Sequence, residues 1–192
     1  MQLTVEKIKR AVIRSGRISC LLAALFFGLN GTALGQTSEE YRLKAAFIVN
    51  FAKFSQWPKE AFASPDDPLS LCVVREKRMR HFFASIEGVT IGGRELDVRY
   101  MDEKEDVEGC HMLFFSEEVR RSTFTEMFAD VKGKAVLTIG ETENFASDGG
   151  GINFIVEDKK LRFEINRETA AEQEIKLSSQ LLNLAILVDS NK

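Results

Sequence analysis

Two histidines and three cysteines limit what this 192-residue chain can do by making or breaking bonds. His81 follows Arg80 on an amphipathic stretch, the ordinary setting of an exposed helical histidine. His111 directly follows Cys110 at the start of an apolar run, and a Cys-His step offers two metal ligands. Structural zinc needs four, usually paired at short spacing, and no C-x-x-C, H-E-x-x-H or H-x-x-x-H occurs. No metal and no cofactor are expected. A nucleophile is equally hard to find, because neither G-x-S-x-G nor S-x-x-K stands in a strand-to-helix setting. Cys110 and His111 cannot form a dyad, since neighbours on a strand point to opposite faces. The chain reads as a non-enzyme.

Two glycine stretches remain. Gly140-Glu141-Thr142-Glu143-Asn144 follows an apolar strand, where open α/β sheets bind ligands; Gly140, Glu141 and Asn144 are therefore the candidate effector pocket. Asp148-Gly149-Gly150-Gly151 could turn successive N–H groups toward an anion. Neither matches a nucleotide-binding fingerprint, and nearby carboxylates would repel a phosphate. A turn into the next hairpin is the simpler account of both. Glu141 and Glu143 show no pairing that would suggest a glycosidase.

Composition narrows the class. With 44% hydrophobic and 29% charged residues, collagen-like, disordered and disulfide-knot chains are excluded. The net charge is -3, but residues 1–35 hold five basic side chains against Glu6 alone, so the remainder is more acidic still. A nucleic-acid binder should show the reverse. The basic stretch Lys7–Arg17, the uncharged run Ile18–Leu29 and the small residues of Ala33-Leu34-Gly35 follow the plan of a secretory signal peptide, cut before Gln36. The apolar run is too short to span a bilayer, and Cys20 lies at the wrong end of it for lipidation. Export leaves Cys72 and Cys110, an even pair in an oxidising compartment, which favours a disulfide over two buried thiols that never meet.

Residues 36–192 suit one domain, with no linker or repeat to divide them. Thr37 and Glu40 have capping-box spacing, and Leu43, Phe47, Phe51 and Phe54 mark one face of a helix running to about Gln56. Further apolar residues widen that face, so the helix should be covered from several sides, and Trp57-Pro58 ends it. Leu69–Arg75, His111–Phe115 and Ala135–Ile139 read as buried strands. Arg78–Ile86 and Glu118–Val131 read as helices with Met79, Phe82, Phe83, Val119, Phe124, Met127 and Phe128 inward. Thr90–Met101 turns at Gly92-Gly93, and then Leu96, Val98 and Tyr100 share a face. Ile152–Val156 and Leu161–Ile165 alternate with period two, as an antiparallel hairpin does. Asn166 and Ser178 or Ser179 can cap the last two helices. The expected fold is α/β: a mainly parallel central sheet with helices on both faces, an appended C-terminal hairpin and a final helix.

Four segments carry a family likeness: Leu43–Phe54 (LKAAFIVNFAKF) with Trp57-Pro58, Gly150–Phe154 (GGINF), Leu161–Asn166 (LRFEIN) and Leu177–Leu182 (LSSQLL). Together they resemble the YfiR-like family of periplasmic regulators, and Cys72 and Cys110 fall where that family has a cysteine pair. The resemblance implies a non-catalytic repressor that binds an inner-membrane diguanylate cyclase, or another membrane sensor, and so lowers cyclic di-GMP and biofilm formation. It also implies a homodimer and an outer-membrane-associated lipoprotein as a second partner. A second cysteine pair near the hairpin is missing, since Gly149–Ile152 contains none. Part of the first helix and the exposed hairpin face, with Phe154, Arg162, Phe163, Glu164 and Ile165, are the candidate partner surface; the competing reading is that these Phe residues close the core. The alternative function is a small-ligand-binding module serving a transporter or sensor kinase.

Overall fold

The computed structural model describes residues 33–76, 80–103 and 105–190. Residues 1–32 of the expected 35-residue leader, and Met79 of the expected second helix, lie outside them. From Glu40 onward the chain forms one compact unit. Helix α1 (Ala33–Lys53) already runs at Ala33, so Thr37 is interior to it and not a cap. It is followed by β1 (Ser55–Gln56), a 3-10 turn, β2 (Leu69–Val74) and α2 (Arg80–Ala84). Next come β3 (Thr90–Ile91), β4 (Arg94–Met101), β5 (Met112–Phe115), α3 (Arg121–Val131) and β6 (Leu137–Gly140). The chain closes with β7 (Ile152–Glu157), β8 (Lys160–Asn166), α4 (Arg167–Glu172), β9 (Lys176–Leu177), α5 (Ser179–Leu184) and β10 (Ile186–Val188).

The sheet has eight strands in the order β10-β8-β7-β6-β5-β2-β4-β3. β4, β2, β5, β6 and β7 run parallel, while β3, β8 and β10 run against them. It is therefore a mixed sheet, which corrects the expectation of a mainly parallel one. The hairpin β7–β8 forms as its alternation predicts, yet it is not appended. Ile152 pairs beside Ile139 and Asn153 beside Gly140, so β7 continues the main sheet. Nor does the chain end on a helix, because β10 adds a parallel edge strand to β8.

Period-two alternation divides the sheet's side chains between two cores. Leu69, Leu71 and Val73 of β2 point toward α1 and α2, where Ile48, Phe51 and Phe83 are fully buried. Cys72 and Val74 point the other way, toward Phe124 and Met127 of α3. Within this second core Cys72 and Cys110 are disulfide-bonded with their Cα atoms 5.8 Å apart. The bridge ties β2 to the residues entering its parallel neighbour β5. Helices thus cover both faces, as expected.

The proline-bearing connection before β2 is pinned by a stack. The Arg94 guanidinium lies 3.6 Å over the Phe62 ring, and Phe62 stacks on His111 with centroids 4.4 Å apart. His111 is a neutral clamp: its Nδ1 accepts from the Ser70 N–H at 3.0 Å and its Nε2–H donates to the Ala61 carbonyl at 3.0 Å. Burial pushes the imidazole below its ordinary value of 6.5, and the hydrogen bond to Ala61 offsets this only in part. A histidine depressed in the fold binds its proton more readily when unfolded, so its contribution to stability is present above pH 6.5 and is lost as pH falls through the window below. Urea melts of wild type between pH 7.5 and 5 should lose stability on acidification, and His111→Gln, although less stable throughout, should lose less. Parallel pH profiles for the two proteins would contradict this role.

Asn166 does more than cap α4. Its Oδ1 accepts from the Thr169 N–H at 3.1 Å, while its Nδ2 donates to the Ala146 carbonyl and to Ser190 Oγ, each at 2.9 Å. The residue is wholly buried. Asn166→Ala should cost about 2 kcal/mol, the upper end for a lost cap. Asn166→Asp keeps the cap acceptor but aims an oxygen at the Ala146 carbonyl, so it should rescue little; a full rescue in thermal melts would reduce the residue to a cap. Ser178 caps α5 as expected, accepting from the Leu181 N–H at 3.2 Å.

Candidate functional site

α1 is built around a stripe that differs from the expected one. Tyr41, Ala45, Ile48, Phe51 and Ala52 are buried, whereas Leu43 is 43% exposed. Lys44 shares the buried face at 5% exposure. Such a cation persists in an interior only when paired, and its partner stands 97 residues away. Lys44 Nζ donates to Glu141 Oε2 at 2.6 Å and lies 2.6 Å from Glu40 Oε1, one helical turn back. The Glu141 side chain is 2% exposed and accepts twice more, from the Tyr41 hydroxyl at 3.0 Å and from the Glu117 N–H at 2.9 Å.

Glu141 is the first residue after β6, and Glu117 follows β5 by two, so the network sits at the C-terminal ends of adjacent parallel strands. Burial pushes the Glu141 carboxyl above its ordinary range, and Lys44, the Glu117 N–H and the Tyr41 hydroxyl pull it back only in part. Burial also opposes the charge on Lys44, but Glu141 and Glu40 outweigh it and hold the ammonium above its usual value. Tyr41 is raised by burial and by the neighbouring Glu141 charge. Lys44 and Tyr41 therefore keep their protons at neutral pH. The group is a charged pin between α1 and the sheet, with one side open to a cleft of about 380 Å³.

Of the expected effector residues, Glu141 and Asn144 line this cleft. Gly140 does not. It is packed beneath Phe145, whose ring carbons would lie 2.4 Å from any Cβ placed there, so glycine is required for packing and not for a ligand. The stretch Asp148–Gly151 forms no anion nest. The Gly149, Gly150 and Gly151 N–H groups are donated to the Ala146 carbonyl, the Phe145 carbonyl and Thr138 Oγ1. The turn is the correct reading there.

The hairpin surface needs a larger correction. Phe154, Phe163 and Ile165 are 3%, 4% and 0% exposed and belong to the α1 core. Phe51 lies 5.0 Å from Phe163 and 5.5 Å from Phe154, ring centre to ring centre. Phe47 approaches Phe163 at 5.7 Å. Their alternation reflects one covered face, and α1 is what covers it. On the other face Asn153 pairs with Glu164, and Arg162 with Glu157 at 2.7 Å. Val156, beyond the covered part of the strand, is 63% exposed.

These contacts join the beginning of the chain to its end. Beyond the Phe cluster, β1 pairs antiparallel with β9, and the Ser178 N–H donates to the Phe54 carbonyl at 2.9 Å. Trp57 Nε1 donates to the His111 carbonyl at 3.2 Å. The segments LKAAFIVNFAKF, LRFEIN and LSSQLL are thus neighbours in space. No group of three or more potential metal ligands occurs among the described residues.

The domain is thus an α/β fold in which α1 is clamped onto the β7–β8 hairpin beside a cleft lined by charged side chains. Residues 41–186 match the model of the YfiR/HmsC-like family, and the chain belongs to that family. No curated protein matches it.

Proposed function

We propose that this protein is a periplasmic regulator that binds and restrains the periplasmic part of an inner-membrane signalling protein, a diguanylate cyclase above all, so lowering cyclic di-GMP. The observation that carries this reading is the family match over residues 41–186. It is compatible with the described residues containing no helix long and apolar enough to cross a membrane. Restraint of this kind needs no chemistry. Binding one conformation of the partner more tightly by about 2.7 kcal/mol shifts a two-state equilibrium roughly a hundredfold. The surface for it comprises the outward face of the hairpin, with Arg162 and Glu164, the uncovered end of its other face, with Val156, and Leu43 on α1; a homodimer and an outer-membrane-associated lipoprotein would compete for such surface. Deleting the gene should raise intracellular cyclic di-GMP several-fold, and an exported copy should reverse this. Unchanged cyclic di-GMP in the deletion strain would refute the cyclase reading.

A further inference from the structure

We propose that the cleft beside the Lys44–Glu141 pin is a binding site for a small organic cation, an alkyl chain ending in an ammonium or guanidinium group. This does not rest on the identity of the membrane partner.

Three observations lead there. The first is charge. Glu40, Glu117, Glu141, Glu143 and Glu164 line the cleft, and among its described lining residues Lys44 is the one cation. Lys44 is already held between Glu40 and Glu141, so an anion would meet a strongly negative field. The second observation is Asn153, a lining residue only 1% exposed. Its Nδ2 donates to Glu164 Oε2 at 3.1 Å, which fixes the orientation of the amide, because a carboxylate can only accept. Its Oδ1 is left buried with no hydrogen-bond partner among the described residues. Leaving such an acceptor unpaired is costly, and an N–H donor entering the cleft removes that cost. The third observation is the apolar part of the lining: Ile155 on the hairpin face that carries Asn153 and Glu164, and Val156 and Leu161 on the other face. Acceptors and aliphatic side chains lining one cleft match a methylene stem with a cationic, N–H-bearing head, and about 380 Å³ is within the range of small-ligand pockets.

The site joins α1 through Lys44, the end of β6 through Glu141, and the hairpin through Asn153 and Glu164. An occupant would bond to the hairpin whose outer side is the proposed docking surface, which gives it a route to affect docking.

The test is calorimetric titration of the mature protein with agmatine and with putrescine, at low and moderate salt. Wild type should bind at least one of them, more weakly as salt rises. Glu164→Gln removes a charge and supplies an amide that can itself satisfy Asn153 Oδ1, so affinity should fall at least tenfold. Glu157→Gln, on the same hairpin but outside the cleft, should bind as wild type does. Circular dichroism establishes that both variants are folded. No binding of either probe by wild type would overturn the proposal, as would equal binding by Glu164→Gln or an equal loss in Glu157→Gln. A preference for a capped Ala-Arg-Ala tripeptide over agmatine would overturn the assignment to a free cation.

Discussion

Glu141→Ala should destabilise the protein by about 3–5 kcal/mol, because it strips one carboxylate from a buried ammonium and two further donors at once. The side chain is 2% exposed, so water cannot easily replace it. Lys44 would keep one carboxylate, Glu40, whose side chain is 34% exposed, and the Tyr41 hydroxyl and Glu117 N–H would lose their acceptor. Glu141→Gln keeps an oxygen in place and gives up the charge, so it should cost clearly less. Replacing both partners, Lys44→Met with Glu141→Gln, should recover much of the loss, since an uncharged pair no longer needs to be desolvated. Urea denaturation of the four proteins measures this. If Glu141→Ala were as stable as Glu141→Gln, the network would be incidental to the fold.

Reduction of Cys72–Cys110 is the second large effect. The cysteines are 38 residues apart in sequence, and releasing that loop restores unfolded-state entropy worth about 4 kcal/mol on the chain-entropy estimate. For a domain of this size that is a fall in melting temperature of roughly 10 °C. Both cysteines lie in the core facing α3, with Phe124 and Met127, whereas the α1–hairpin core is on the other face of the sheet. The bridge should therefore act on global stability before it acts on the cleft or the hairpin. Melts with and without reductant, beside a Cys72→Ala/Cys110→Ala control that should melt near the reduced protein, test this. A reduced protein as stable as the oxidised one would contradict it.

The buried strands were legible because apolar residues concentrate where a strand is covered on both faces. Leu69–Val74, Met112–Phe115 and Leu137–Gly140 are buried at every residue. The caps at Asn166 and Ser178 were legible too, since they depend on local chemistry. The Lys44–Glu141 pair was not, because a lysine on an otherwise apolar helix reads as solvated until its partner, 97 residues on, is known. Phe154, Phe163 and Ile165 show why alternation alone cannot assign a surface: period two marks a covered face, and a sequence does not say whether a partner or the chain's own α1 covers it. Leu43 misled for the opposite reason, being one apolar residue among many on a helix whose stripe is set by Tyr41, Ala45, Ile48 and Ala52. β10 escaped notice because three residues carry too little pattern. Its pairing with β8 depends on the chain returning past α5, which no local signal records.

The most direct test of the central claim is affinity capture with the tagged mature protein from detergent-solubilised inner membrane, with bound proteins identified by mass spectrometry and an Arg162→Glu/Val156→Asp variant run beside it. The regulatory account predicts enrichment of a membrane protein with a periplasmic segment and a diguanylate cyclase domain, reduced in the variant. Recovery of a transporter in its place, or of the cyclase equally by both baits, would contradict it.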